Sequence, residues 1–306
     1  MRALLLMGPT ASGKSALALA LAERLGGEIV NADSMQVYRD FRILTARPTE
    51  AEEARAPHHL YGYADAGELY STGRWLTEAL AAIGAIGSRG KPPIVVGGTG
   101  LYFKALTEGL ADIPAAHPEV RAALRERAAR EGAPALHAEL SARDPITAAR
   151  LERNDAPRIL RALEVLETTG ASISALQAQT KPALARDQWG CVALTPDRET
   201  LYPVINARFD AMLEAGALDE VRAIAARNLD PTLPAMKAHG APALMAYLEG
   251  AVPLSVATEI AKRDTRRYAK RQFTWIANQM PDWPRVSAPD IETRIHAALA
   301  ALNAPR

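Results

Sequence analysis

Short apolar runs recur along this chain, separated by stretches long enough to hold a helix. Ala3-Leu4-Leu5-Leu6-Met7, Glu28-Ile29-Val30-Asn31-Ala32, Pro93-Ile94-Val95-Val96 and Gly190-Cys191-Val192-Ala193-Leu194 are four or five residues each. That is the length of strands buried on both faces. Strands alternating with helical stretches predict an α/β fold with a parallel sheet, whose ligands gather at the carboxyl ends of the strands. Between about Pro114 and Asp187 the pattern changes to arginine- and alanine-rich helical spacing, as in Pro118 to Arg130 and Pro157 to Thr168, with no convincing strand. From Leu201 onward the chain again reads helical, most clearly over Ala207 to Arg227 and Val256 to Gln279. The expected organisation is residues 1–113 as the first part of an α/β core, 114–187 as a helical insertion domain, and 188–306 as core completion with a helical C-terminal region.

The first run leads into Gly8-Pro9-Thr10-Ala11-Ser12-Gly13-Lys14-Ser15, then into the helix-forming Ala16-Leu17-Ala18-Leu19-Ala20-Leu21-Ala22. This is G-x-x-x-x-G-K-[ST] between a strand and a helix, the context that gives the motif its meaning as a phosphate loop. Amides of the loop and of the helix N-terminus converge on an anion, the lysine adds a point charge, and the Ser15 hydroxyl can ligate Mg²⁺. The core is thus expected to be P-loop NTPase-like, with a diphosphate or triphosphate held by residues 8–15. The loop alone leaves open whether phosphate is transferred, hydrolysed or expelled.

The other strand ends bear on that question. A kinase or nucleotide hydrolase expects an acidic residue at the end of a neighbouring strand to hold the metal. Here Ile94-Val95-Val96 ends in Gly97-Gly98-Thr99-Gly100, which offers space beside the backbone and one hydroxyl, or else only a tight turn. Asp33 follows the second strand and could ligate a metal, act as a general base, or cap the turn before Met35-Gln36-Val37-Tyr38. Thr195-Pro196-Asp197 closes the last run, so three strand ends are expected to face one crevice.

Composition narrows the setting. The 306 residues are 48% hydrophobic, enough for a large core, and 36 basic against 35 acidic residues leave a formal charge of +1. Any nucleic-acid partner must therefore be argued from local patches. One cysteine, Cys191, excludes an internal disulfide and fits a reducing compartment. With no signal-peptide layout and no apolar run approaching the roughly 18 residues of a membrane helix, a cytoplasmic protein without a membrane partner is expected.

The phosphate loop, Asp33-Ser34-Met35-Gln36-Val37-Tyr38-Arg39, Thr45-Ala46-Arg47-Pro48-Thr49, Pro57-His58-His59-Leu60 and Gly97-Gly98-Thr99-Gly100-Leu101-Tyr102 together resemble the tRNA isopentenyltransferase (tRNA dimethylallyltransferase, or IPP transferase) family. The match continues through Arg158-Ile159-Leu160-Arg161-Ala162-Leu163-Glu164-Val165, Arg208-Phe209-Asp210-Ala211-Met212-Leu213 and Tyr268-Ala269-Lys270-Arg271-Gln272-Phe273-Thr274-Trp275. The resemblance implies transfer of a dimethylallyl group from dimethylallyl diphosphate to N6 of adenosine 37, beside the anticodon of tRNAs reading codons that begin with U. It assigns Gly8, Thr10, Ala11, Ser12, Gly13, Lys14, Ser15 and Arg208 to the leaving diphosphate, with Mg²⁺ near Ser15. Asp33 would take the N6 proton and Thr99 would hold the amine. Ser34, Met35 and Gln36 match a segment that meets the tRNA, and so does the block at Pro157, Arg158, Ile159, Leu160 and Arg161. A monomer is expected.

Local cations then gain a use. Arg263, Arg266, Arg267, Lys270 and Arg271 fall on one face of a helix, with Tyr268, Ala269 and Ile276 turned away. Arg121 shares a face with Arg125, and Arg158 with Arg161. These are candidates for gripping the anticodon stem-loop, against the plainer reading of solvated helix faces. Adjacent His58 and His59 diverge in any regular element and suit packing better than metal binding. Two departures from the family, Pro157 and Met236-Lys237-Ala238-His239-Gly240-Ala241-Pro242, bear on tRNA contacts or packing. Two other activities stay open: prenylation of free adenine nucleotides, and phosphate chemistry by a P-loop kinase or hydrolase.

Overall fold

The computed structural model describes residues 2–114 and 116–304, and the chain forms two compact units. One contains the residues up to Thr107 and those from Leu184 onward; the other is Glu108–Ala183.

The larger unit is built on six strands: β1 (Ala3–Met7), β2 (Glu28–Asn31), β3 (His58–His59), β4 (Pro93–Gly97), β5 (Trp189–Leu194) and β6 (Arg285–Val286). Their order is β3-β2-β4-β1-β5-β6, and every pairing is parallel, with Leu5 opposite both Val95 and Cys191. β1 lies at the centre and is buried at all positions. Side chains alternate across the sheet because the strand period is two. Leu4, Leu6, Ile29, Ile94, Val96, Val192 and Leu194 pack on one face with the helices Lys14–Leu25 and Ile291–Asn303. Leu5, Met7, Val30, Val95, Cys191 and Ala193 pack on the other with Trp75, Phe103 and Ile276.

Four strands match the four apolar runs. β3 and β6 have two residues each and sit at the sheet edges, too short to leave a hydrophobic pattern. His58 and His59 are therefore strand residues: the His58 ring meets the Ala56 carbonyl, and the His59 ring meets the buried Glu28 carboxylate. The helix expected over Ala207 to Arg227 is instead two, Arg198–Glu214 and Ala217–Ala225. Gly216, at φ +104°, divides them, in a conformation open to glycine at little cost.

The smaller unit is helical: Pro118–Glu131, Ala133–Arg143, Pro145–Ala148, Ala156–Thr169 and Ile173–Ala178. Leu124, Leu136, Leu140, Ile159 and Leu163 form its core. The helix Ala156–Thr169 starts where the Asp155 side chain accepts the Arg158 N–H, with Pro157 in its first turn, a favoured site for proline. Among the described residues no helix is long and apolar enough to cross a membrane.

Candidate active site

β1 delivers the phosphate loop at the carboxyl edge of the sheet. Ala11 and Gly13 take left-handed conformations at φ +63° and +84°, the kind of alternation that turns neighbouring amides into an anion nest. Some loop amides already have partners: Gly8 N–H donates to the Gly97 carbonyl, Ser12 N–H to the Pro9 carbonyl, and Thr10 N–H to Oε1 of Gln272. The amides of Ala11, Gly13, Lys14 and Ser15 meet no acceptor among the described residues, and these face an anion best. Lys14 reaches the Pro9 carbonyl at 3.3 Å. Burial pushes its ammonium down to about 8, against the opposing pull of Asp33 and with the repulsion of Arg208. Burial likewise lowers Arg208, which Asp33 partly offsets. One carboxylate and two desolvated cations thus share one electrostatic site.

Asp33 is held at both ends. Its N–H donates to Asn31 Oδ1 at 2.8 Å, the Asn31 amide donates to the Asp33 and Leu60 carbonyls, and Asp33 Oδ1 accepts the Met35 N–H at 2.9 Å. The turn use occupies one carboxylate oxygen, Oδ1. Thr99 lies across from it: Thr99 Oγ1 accepts the Ser34 N–H at 3.0 Å and donates to Ser34 Oγ at 3.3 Å. Gln36, by contrast, donates its side-chain amide to the carbonyls of Thr45 and Ala46.

The glycines that end and follow β4 do not leave the space that the sequence suggested. A Cβ on Gly97 would lie 2.0 Å from the Ala32 carbonyl oxygen, one on Gly98 2.1 Å from Gln272 Nε2, and one on Gly100 2.1 Å from Trp275 Nε1. The chain itself fills each position. Thr195, Pro196 and Asp197 also lie elsewhere than expected, lining a separate open pocket with Phe273 and Arg285. Asp197 caps the helix Arg198–Glu214 through the N–H groups of Glu199 and Thr200.

A cavity opens over the remaining elements. Thr10 and Ala11 of the loop, Asp33, Arg208 and Thr45 line it together with an apolar wall of Met35, Leu44, Ile205, Phe209 and Met212. Tyr268 and His239 also line it, their rings 4.2 Å apart. Tyr268, turned away from the cation face of its helix, thus meets this cavity. Burial pushes the His239 imidazole below its usual range, so it is neutral near pH 7. Glu220 supports the wall from a distance in sequence, accepting the N–H groups of Arg42, Ile43 and Leu44 at 2.8, 2.7 and 2.9 Å. Glu220, Gln272, Asn31 and His239 lie in segments that the sequence marked out, but with no role assigned, and only the fold gives them one.

The cation candidates differ in availability. On the helix Leu254–Gln279, Arg263, Arg267, Lys270 and Arg271 are exposed, but Arg266 is drawn inward to Asn206 Oδ1 at 2.5 Å. Asp264 interrupts the strip, 3.3 Å from Arg263 and 3.4 Å from Arg267. In the smaller unit Arg121 and Arg161 converge on Glu164 at 3.5 and 3.4 Å, and Arg158 pairs with Asp155 at 2.6 Å. Ile159 is 0% exposed in that unit's core, and Leu160 packs against the core; neither offers its side chain freely to RNA.

For a metal, the described residues hold no group of three or more His, Cys, Asp and Glu side chains. The exposed Ser15 hydroxyl and the Asp33 carboxylate are single oxygen donors. That set fits Mg²⁺ completed by phosphate oxygens and water rather than a protein cage.

A phosphate loop on a parallel sheet, with a carboxylate in place across from its lysine and no acid at the end of β4, defines a P-loop-type α/β protein. A family model described as IPP transferase matches residues 36–279, and one described as isopentenyl transferase matches residues 1–61. The chain belongs to the IPP transferase family. It is 54% identical to the tRNA dimethylallyltransferase of Nitrobacter hamburgensis over 97% of this chain and 94% of that protein. With the one from Hyphomonas neptunium it shares 49%, covering 97% and 95%. Among solved structures, the tRNA isopentenylpyrophosphate transferase of Bacillus halodurans aligns with TM-score 0.69 and 36% identity over 97% of this chain and 93% of that one. A eukaryotic dimethylallyltransferase described as acting on tRNA aligns with TM-score 0.81 and 30% identity over 95% and 75%.

Proposed function

We propose that this chain transfers the dimethylallyl group of dimethylallyl diphosphate to N6 of adenosine 37 in tRNAs that read codons beginning with U, releasing diphosphate. The observation that carries this reading is one cavity lined by the loop residues Thr10 and Ala11, by Arg208, by Asp33 and by an apolar wall. An anion, a base and a hydrocarbon group each have their place there. Relatives named tRNA dimethylallyltransferase support it.

In this reaction the N6 lone pair attacks C1 of the dimethylallyl group, and the C1–O bond breaks with its electron pair leaving on the diphosphate. The N6 proton passes to Asp33. An exocyclic amine conjugated with its ring is a weak nucleophile, so a placed carboxylate has a clear task. Negative charge builds on the departing oxygen, where Lys14, Arg208 and the amides of Ala11, Gly13, Lys14 and Ser15 are preorganised to meet it. Their desolvation strengthens that interaction. Mg²⁺, held by Ser15 and phosphate oxygens, would neutralise further charge on the leaving group. Thr99 would orient the amine, its hydroxyl fixed by Ser34.

The adenine must leave its stack to enter the cavity. We assign Asp33, Ser34, Met35, Gln36 and Thr99 to the mouth that receives the anticodon loop. Arg121, Arg158, Arg161, Arg267, Lys270 and Arg271 would hold its backbone. In our reading the enzyme works in the cytoplasm as a monomer, and the buried thiol of Cys191 is in keeping with a reducing compartment.

The test is to incubate the purified chain with dimethylallyl diphosphate and Mg²⁺ and, separately, an anticodon stem-loop carrying A37 or AMP. Prenylated stem-loop and unmodified AMP are expected. Prenylated AMP at a comparable rate, or phosphate release from ATP with no prenylated product, would overturn the reading.

A further inference from the structure

Gln272 lies on the helix Leu254–Gln279, is 3% exposed, and has no part in the chemistry above. Its side-chain amide uses both ends. Oε1 accepts the Thr10 N–H at 2.9 Å, and Nε2 donates to the Gly98 carbonyl at 3.0 Å. One planar group therefore ties the phosphate loop to the end of β4. The linkage continues in both directions. Gly98 precedes Thr99, whose hydroxyl accepts the N–H of Ser34 at 3.0 Å, and Ser34 follows Asp33. A line of hydrogen bonds thus runs from the leaving-group cradle towards the base. The fit allows no slack, since a Cβ on Gly98 would come within 2.1 Å of Nε2.

We propose that Gln272 is a positioning residue that fixes the separation between the diphosphate cradle and Asp33. This rests on the transferase reading above. Attack requires N6, C1 and the leaving oxygen in near line, while the groups that hold the two ends belong to different loops. Without a tie between those loops each substrate still binds its own half of the site, but the halves no longer hold the reacting atoms at attack distance. A misplacement of about 1 Å costs on the order of 10²-fold in rate.

The test compares the unmodified chain with Gln272→Met, which keeps the length but removes both hydrogen bonds, and Gln272→Glu, which keeps an acceptor for Thr10 but presents an oxygen to the Gly98 carbonyl. Three quantities are read: the single-turnover rate with both substrates saturating, the Kd of pyrophosphate and the Kd of the stem-loop. Both variants are expected to lose on the order of 10²-fold in rate. For Gln272→Met both Kd values should stay within about threefold, the split that marks an interaction realised in the transition state. A rate within about threefold of the unmodified chain, or a loss confined to the Kd values, would overturn the proposal. So would failure of both variants to fold, which would assign the amide to stability instead. Absence of transfer by the unmodified chain would remove the underlying reading rather than the role of Gln272 alone.

Discussion

Lys14 and Asp33 are the two residues whose chemistry the structure makes most specific. Burial brings the Lys14 ammonium down to about 8, so the free enzyme loses this charge as pH rises through 8 rather than in the ordinary lysine range. Bound diphosphate favours the charged form, and binding above pH 8 therefore requires proton uptake. Pyrophosphate affinity should show no Lys14 contribution to its pH dependence below 8 and should weaken above it by at most about tenfold per unit, the slope for one proton. Calorimetric titration between pH 7 and 10 checks this, and Lys14→Gln should remove that part of the slope. Asp33→Asn separates the turn use of Asp33 from its proposed use as a base, because the amide oxygen can still accept the Met35 N–H while no carboxylate is left to take a proton. Turnover should fall by roughly 10²- to 10⁴-fold, with pyrophosphate bound at least as tightly once a negative charge beside Lys14 and Arg208 is removed. Rapid-quench assays and the same titration measure both.

The strand ends set how far the sequence could be read. Gly97→Ala would place a Cβ 2.0 Å from the Ala32 carbonyl, a backbone atom that cannot swing aside. Overpacking of this kind costs about 1–3 kcal/mol, and denaturant unfolding should show it. Prenylation should drop as well, because Ala32 adjoins Asp33. In the sequence the same glycines pointed to open space, since a glycine does not declare what fills the room it leaves. The phosphate loop, the four long strands and the position of Asp33 were legible because each rests on local chemistry: an apolar run, a fixed motif, a turn. β3 and β6 were not, being two residues long and stabilised by one neighbour each. The clasp of Glu220 on Arg42, Ile43 and Leu44, and the bridge of Gln272, join positions far apart in the chain. Only the packed fold creates them. For a related reason the surroundings of Tyr268 were not legible: helical periodicity separates an inner from an outer face but does not say whether the inner face meets core or cavity.

At the scale of the whole molecule a formal charge of +1 gives little long-range attraction to RNA, so binding must come from local cations and the counterions they displace. The exposed Arg267, Lys270 and Arg271 are offered as phosphate contacts, whereas Arg266 is bonded to Asn206. Each phosphate neutralised adds about 0.7–0.9 to the slope of log K against log salt. Replacing Lys270 or Arg271 by alanine should therefore weaken stem-loop binding and lower that slope by close to one contact's worth. Arg266→Ala should leave the slope unchanged, although it removes an equal formal charge. Asp264→Ala should strengthen binding, since it frees Arg263 and Arg267 from a competing carboxylate. Filter binding of the stem-loop from 50 to 300 mM salt, about a sixfold range, distinguishes these outcomes. Equal slopes for the Lys270 and Arg266 variants would mean that net charge, not the placement of these side chains, governs the encounter.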